Sequence, residues 1–416
     1  MIKRVVADWP LVTIALLLSA FGIAAVYSAG QTEVSVGYVT VAWKRQLLWF
    51  GAGIVGAFIV SRSSVRFYEW MADKAYWLAL VLLTVVLVIG SGAGTAASMK
   101  GWLTIGNIRL GQPSELAKLA VVLMLAKVLS SRRSAPRAMI ELWLPALVVG
   151  IPFVLIMLQP DLGTGIVFVG LFFAMLYWSG VSGLQLLLLA SPVISLILAF
   201  STQAWAIWFI VLFIVVYRYK PYLLEGVGLM VANVAMGILA PILWESLKPH
   251  QQQRLLVFLN PMEDPQAAGY HVIQSQIAIG SGGWMGKGFT LGTQKRLAFL
   301  PEQHTDFIFA VVGEELGFIG VSVALFLFLM LFLRVVRIAG RANDSFSSLV
   351  AFGLVATWFV HVIVNIGMTL NLMPITGIPL PFFSYGGSFM LTCWLAIGIL
   401  VRISSEGRGK ADALAI

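Results

Sequence analysis

Long apolar runs separated by short polar stretches dominate the chain. They lie near 10–27, 46–61, 76–90, 115–130, 139–158, 162–179, 184–200, 204–217, 226–244, 306–333, 348–370 and 387–402. Most approach the roughly 20 residues that a helix needs to cross a bilayer. None alternates apolar and polar positions as the strands of a membrane barrel do. The pattern predicts an all-α, polytopic membrane helical bundle with twelve spans, folded as a single domain over 1–416. Only Ser201-Thr202-Gln203 separates two of the runs.

Lys and Arg in the short loops set orientation. Lys3, Arg4, Arg62, Arg66, Arg132, Arg133, Arg137, Arg218, Lys220, Arg334, Arg337, Arg341, Arg402 and Arg408 alternate correctly to share one face. That face is expected to be cytoplasmic, with both termini on it. The opposite face then carries 28–45, 91–114, 371–386 and one large extracytoplasmic loop, 245–305. Within that loop, 270–279 has the spacing of a short amphipathic helix suited to a membrane surface. Gly280-Ser281-Gly282-Gly283 ends it. No repeat of the transporter kind is visible.

Composition supports this pattern. Of 416 residues, 60% are hydrophobic and 11% charged, whereas a soluble domain is about a quarter charged. The net charge of +9 comes from loop residues that orient the membrane protein, so no nucleic-acid partner is expected. The lone Cys393 lies in an apolar run and can form no intramolecular disulfide. Met1-Ile2-Lys3-Arg4 before Pro10–Tyr27 is expected to open an uncleaved first helix.

The candidate chemistry clusters on the extracytoplasmic side. Asp306 opens the apolar run that continues to about Leu333, where an ionisable group is costly without a cavity or partner. Either Thr305 or Asp306 caps the helix, or Asp306 is a carboxylate held ready to take a proton. Glu314 and Glu315 follow on the same helix and need partners or water. Glu115 and Lys118, three apart after Pro113 and Ser114, share a helix face. They form a local ion pair and cap, or with Arg109 they bind phosphate or pyrophosphate. Asp161, in Gln159-Pro160-Asp161-Leu162-Gly163, is a turn residue or a partner for Lys118 or Arg109. Lys44 and Arg45 add charge on the same side. The Pro- and Gly-rich stretch 374–388 reads as non-helical backbone that shapes a cavity. No Cys/His metal spacing, phosphate loop or Ser-His-Asp arrangement is present.

Taken in order, these motifs resemble the SEDS family (shape, elongation, division and sporulation), membrane glycosyltransferases that polymerise peptidoglycan. The resemblance rests on Gln112-Pro113-Ser114-Glu115, Gln159-Pro160-Asp161-Leu162-Gly163, Gly269-Tyr270-His271 with Gln274-Ser275, the glycines at 280–283, Pro301-Glu302 with His304-Thr305-Asp306-Phe307, Glu314-Glu315-Leu316-Gly317, and Ser384-Tyr385-Gly386-Gly387-Ser388. Gly269-Tyr270-His271 and Gly292-Thr293-Gln294 are similar to the elongation branch, RodA, rather than the division branch, FtsW.

The resemblance implies an inverting lipid II polymerase on the outer face of the bacterial cytoplasmic membrane, active in cell elongation. It implies polyprenyl-linked glycan as co-substrate and a class B penicillin-binding protein transpeptidase as partner, with other membrane proteins of the elongation complex. It puts the essential carboxylate at Asp306 and lines the cavity with Arg109, Glu115, Lys118 and Asp161. Gln112 and His304 lie in the same motifs and, with Lys44 and Arg45, complete the expected substrate-binding set. The sequence shows no dedicated cage for a cofactor; a divalent cation, Mg or Mn, could assist at the pyrophosphate.

Two features depart from the family pattern. Members usually have ten spans, so either a helical pair is inserted between about Ala204 and Trp244 or twelve overcounts. Many relatives carry an acidic residue eight before the Asp, where this chain has Ala298. Two other classes of function stay open. A lipid-precursor flippase or transporter would place ionisable groups near mid-membrane and repeat its halves. A scaffold would leave Asp306 and Arg109 without a role.

Overall fold

A computed structural model describes residues 8–33, 37–92, 101–105, 108–132, 136, 138–219, 221–247, 252, 256–258, 260, 269–297, 299–300 and 302–414, with 37–38, 105, 108–110 and 408–414 as backbone only. Lys3, Arg4, Arg133, Arg137, Lys220, Ala298 and Pro301 lie outside the described residues.

Each of the twelve predicted runs falls on a helix. In chain order the helices are α1 (Trp9–Ala29), the short α2 (Gly37–Thr40), α3 (Ala42–Ser61), α4 (Val65–Ile89), α5 (Pro113–Ser130), α6 (Trp143–Leu158), α7 (Leu162–Trp178), α8 (Gly183–Leu198), α9 (Thr202–Tyr219), α10 (Leu223–Ser246), α11 (Tyr270–Gly282), the short α12 (Thr293–Arg296), α13 (Ile308–Gly340), α14 (Ser345–Thr369) and α15 (Gly387–Leu414). A two-stranded antiparallel hairpin, β1 (Leu103–Ile105) with β2 (Ile108–Gly111), leads into α5.

Eight stretches are long and apolar enough to cross a membrane by length and composition, and α7 and α8 are shorter apolar helices. The other two predicted spans, α3 and α5, are less apolar because they carry charge: Lys44 and Arg45 in α3, and Glu115, Lys118 and Lys127 in α5. The protein is a multi-pass membrane protein.

Local chemistry explains where several helices start. Asp8 caps α1, accepting from Leu11 N, with Pro10 in the first turn, where its missing N–H costs nothing. Ser64 caps α4 and Asp344 caps α14. Ser182 and Gln185 form a reciprocal capping box on α8.

The core is built from α1, α3, α4–α7 and α13–α15. Helix α5 lies deep within it, flanked by α4, α6 and α14. Helices α8–α10 form a layer that leans on α7 through α8. In α9 only Leu212 is buried. The predicted amphipathic segment is α11, which packs Val272, Ser275 and Ala278 inward against α13 and the end of α14, where Ser275 Oγ donates to Thr369 O at 2.9 Å.

Helix α13 is broken. Gly317 sits at φ 61°, ψ −159°, so two helical segments meet there. Backbone from the 283–288 turn fills the break. Phe318 N donates to Gly283 O (2.9 Å) and Ile319 N to Trp284 O (3.2 Å), while Lys287 N and Gly288 N donate to Glu314 O and Glu315 O, each at 3.0 Å. These bonds satisfy groups that a broken helix leaves open, as a bilayer requires. Only glycine permits the closeness: a Cβ on Gly317 would lie 2.4 Å from Gly286 N, and one on Gly286 would lie 2.1 Å from Glu315 O. Gly286 and Gly317 are therefore positions of close backbone packing.

Candidate functional site

The Pro- and Gly-rich loop 374–386 is the hub of the site. Its backbone is non-helical, and Ile378, Leu380 and Phe382–Ser384 are buried. Gln46 on α3 brackets its end, donating from Nε2 to Ser384 O (2.9 Å) and accepting from Gly386 N at Oε1 (3.1 Å). The loop straps down the turn that carries Asp306. Ser384 Oγ donates to Thr305 O (2.6 Å), and Tyr385 N donates to His304 O (2.9 Å). The turn itself closes through Asp306 N donating to Glu302 O (3.1 Å).

Asp306 is half-buried at the mouth of α13. Phe307, rather than Thr305 or Asp306, occupies the helix cap position. The Asp306 carboxylate faces exposed Gly377: a Cβ added there would lie 3.2 Å from Oδ2. A side chain at 377 would crowd the carboxylate, and glycine leaves that approach open.

On the other side of the loop stand the ends of α5 and α7. Gly163 meets Thr376 and Ile378 so closely that a Cβ would lie 2.5 Å from Ile378 Cγ2. Asp161 caps α7, accepting from Thr164 N (3.0 Å) and Thr164 Oγ1 (2.7 Å), and also takes the Gln112 side-chain amide (3.0 Å). It is thus a cap and also a link to the Gln112 motif. Burial pushes its carboxyl above the usual range, opposed by the Thr164 and Gln112 hydrogen bonds. Glu115 and Lys118 form the expected pair, 2.9 Å apart and almost fully buried.

The ammonium of Lys118 also donates to His361 Nε2 (2.8 Å) and lies 5.0 Å from the Phe389 ring centre. His304 is buried beside Tyr385, ring centres 5.5 Å apart, and burial pushes its imidazole down to about 4. Asp306, His304, Asp161, Gln112, Glu115 and Lys118 are thus gathered around one loop. Arg109 pairs with Thr104 in the hairpin just before Gln112; its side chain lies outside the described atoms. Lys44 and Arg45 are exposed on the first turn of α3, and no described contact joins them to Asp306 or Asp161. Among the described residues, no three His, Cys, Asp or Glu side chains cluster to hold a metal.

Glu314 and Glu315 have found partners, and these were not foreseen. Glu315 pairs with Lys295 at 2.5 Å and accepts from Ser28 Oγ of α1 (2.5 Å). Glu314 accepts from Lys287 (2.8 Å), Thr293 Oγ1 (3.0 Å) and Gln294 N (2.9 Å). Desolvation lowers the tendency of Lys295 to hold its proton, which Glu315 opposes. Gln303 Nε2 donates to Ala29 O (2.9 Å), tying the Asp306 turn to this cluster. His361 and Asn365 were missed as well. Their signal was present: two polar residues one helical turn apart inside an apolar run.

The chain matches the family model of FtsW, RodA and SpoVE, described as cell cycle proteins, over residues 8–220 and 201–409. It is 35% identical to the peptidoglycan glycosyltransferase MrdB of Escherichia coli, over 97% of this chain and 95% of that protein. It is 33% identical to the peptidoglycan glycosyltransferase RodA of Treponema pallidum, over 96% and 98% of the two chains. A solved structure of a peptidoglycan synthase complex, concerned with how polymerization and crosslinking are coordinated, contains a chain 28% identical with a TM-score of 0.72, covering 97% of this chain and 99% of that one. The chain belongs to the FtsW/RodA/SpoVE family, the SEDS proteins.

Proposed function

We propose that the protein is a peptidoglycan glycosyltransferase of the RodA type, polymerising lipid II into glycan strands during cell elongation. The observation that carries this is the Asp306 carboxylate, held at a helix mouth beside exposed Gly377 in a chain 35% identical to a named glycosyltransferase.

Two polyprenyl-linked sugars meet at the membrane surface. The acceptor is the 4-hydroxyl of an N-acetylglucosamine on lipid II. The donor is the anomeric carbon of the growing strand's N-acetylmuramic acid. Asp306 takes the hydroxyl proton as the oxygen attacks. The anomeric carbon–oxygen bond breaks, its electron pair leaves with polyprenyl pyrophosphate, and the centre inverts. Arg109 steadies the leaving charge by its planar fork, and Lys118 adds its charge from within the fold.

The carboxylates described here do not fit a dedicated cation cage, since Asp161 is engaged by Thr164 and Gln112 and Glu115 by Lys118. A divalent ion would arrive with the pyrophosphate and its waters; no step depends on it.

The Lys and Arg distribution supports cytoplasmic termini and an extracytoplasmic Asp306. The peptidoglycan synthase complex among its structural neighbours supports a crosslinking partner, here a class B penicillin-binding protein, within a larger elongation complex. The test is glycan synthesis from labelled lipid II by the reconstituted protein and that partner, with the transpeptidase blocked. Product from wild type and none from folded Asp306→Asn supports the reading. Equal product moves the base elsewhere, and lipid movement without product favours a flippase.

A further inference from the structure

Three parts of the site come from distant stretches of sequence: Lys118 on α5, the loop around Pro379, and Asp306 before α13. Two side chains on one face of α14 touch all three. His361 and Asn365 are four apart, hence one helical turn, and both are fully buried. Lys118 Nζ donates to His361 Nε2 at 2.8 Å, and the other ring nitrogen, Nδ1, lies 2.9 Å from Pro379 O. Asn365 Nδ2 donates to Ile378 O (2.8 Å) and to Asp306 O (2.9 Å).

The proton positions follow from the partners. A charged lysine has donors only, so Nε2 must accept; a carbonyl accepts only, so Nδ1 must carry the hydrogen. One tautomer satisfies both ends. The same reasoning orients Asn365, because two carbonyls require its NH2 side. Its Oδ1 takes no hydrogen bond, so the amide is held through its donors alone. A merely space-filling role would not require this match of donors to acceptors.

Resting on the polymerase reading, we propose that His361 and Asn365 are positioning residues: through the loop 377–379 they set the Lys118–Glu115 pair and Asp306 at a fixed separation. Neither touches substrate. Each acts through the group it holds, and a misplacement of about 1 Å can cost 10²-fold in rate.

The experiment uses the full-length protein with its transpeptidase partner. Asn365→Leu keeps the volume and loses both ties. His361→Gln keeps an acceptor for Lys118, and His361→Asn keeps a donor for Pro379. Steady-state lipid II polymerisation is measured per folded molecule, with thermal midpoints alongside. The expected result is kcat lowered at least tenfold in Asn365→Leu with KM within twofold, and partial activity in each half-replacement relative to His361→Phe. Variants with wild-type kcat per folded molecule, whatever their midpoints, would overturn the proposal.

A second readout does not depend on activity. 15N-histidine NMR, with the His361 signals assigned by their loss in His361→Asn, is expected to show Nδ1 protonated and Nε2 bare. Lys118→Met should shift them. The opposite tautomer would overturn the geometry. Should wild type itself make no glycan, the polymerase reading fails, while the tautomer still decides whether His361 accepts from Lys118.

Discussion

Among the described residues stand two buried glutamate–lysine clusters, alike in chemistry and different in use. Glu115–Lys118 lies within α5, three residues apart. Glu315–Lys295 joins α13 to the short helix α12 and draws in Ser28 from α1. All four charged side chains are at most 3% exposed. A buried pair is weak evidence for stability, because desolvation offsets the attraction; breaking one by removing a partner is costly. What each pair holds separates them. Glu315–Lys295 clasps α12 and α1 to α13 beside its break. Glu115–Lys118 reaches through His361 to the loop beside Asp306. A cavity of about 20 Å³ also borders Glu115 and Lys118, together with Thr357 and Thr392.

The comparison predicts different costs for similar substitutions. The largest effect is expected at neither pair: Asp306→Asn should lower glycan synthesis by about 10²- to 10⁴-fold, the usual worth of a general base, with an unchanged thermal midpoint. Lys295→Met comes next. It strands Glu315 in the break and should cost about 3–5 kcal/mol, read as a lowered unfolding midpoint in detergent. The folded fraction should stay active. Lys118→Met strands Glu115 as well, at a similar cost of about 3–5 kcal/mol, and in addition lowers kcat of the folded fraction at least tenfold. Equal midpoint losses with equal activities would erase the distinction between clasp and site.

The sequence showed one cluster more clearly than the other, for a physical reason. Glu115 and Lys118 sit at helical spacing, so their pairing could be read from the chain. Glu315 and Lys295 are not neighbours on one helix, and only the fold brings them together. The helix spans were legible because apolar length is a local property. The break at Gly317 was not, because a glycine inside an apolar run also suits close helix packing. It took the bonds from Gly283 and Trp284 to show which applied. Asp306 was legible as a charge at a span mouth. His361 and Asn365 were overlooked because a polar residue within an apolar run is informative only when its partners are known.

His304 offers a smaller effect, controlled by pH. Burial lowers its pKa from 6.5 to about 4. The unfolded chain therefore takes up a proton near 6.5 while the folded chain resists until about 4. The stability tied to the neutral ring is full above pH 6.5 and falls as pH drops through that window, by about 1.4 kcal/mol per unit at most for one proton. Unfolding midpoints of wild type and His304→Gln, measured from pH 7 to 4, should converge as pH falls. Parallel curves would mean that His304 titrates alike in the folded and unfolded chains.

The peripheral layer provides the contrast to both clusters. There Asn233 is fully buried and polar but uncharged. It donates to Ser191 Oγ (2.9 Å) and accepts from Ser195 Oγ (2.6 Å), while Trp208 Nε1 donates to Ser195 (3.1 Å). The network joins α8, α9 and α10 to one another and reaches nothing around loop 374–386. Polar contacts between helices in a bilayer average only about 0.6 kcal/mol, because alternative partners remain available within the membrane. Asn233→Leu should therefore shift the unfolding midpoint least of all and leave lipid II polymerisation at the wild-type rate. A loss of activity per folded molecule in Asn233→Leu would show that α8–α10 is coupled to the Asp306 site. The boundary between chemistry and support would then lie further from α7 than the buried charges indicate.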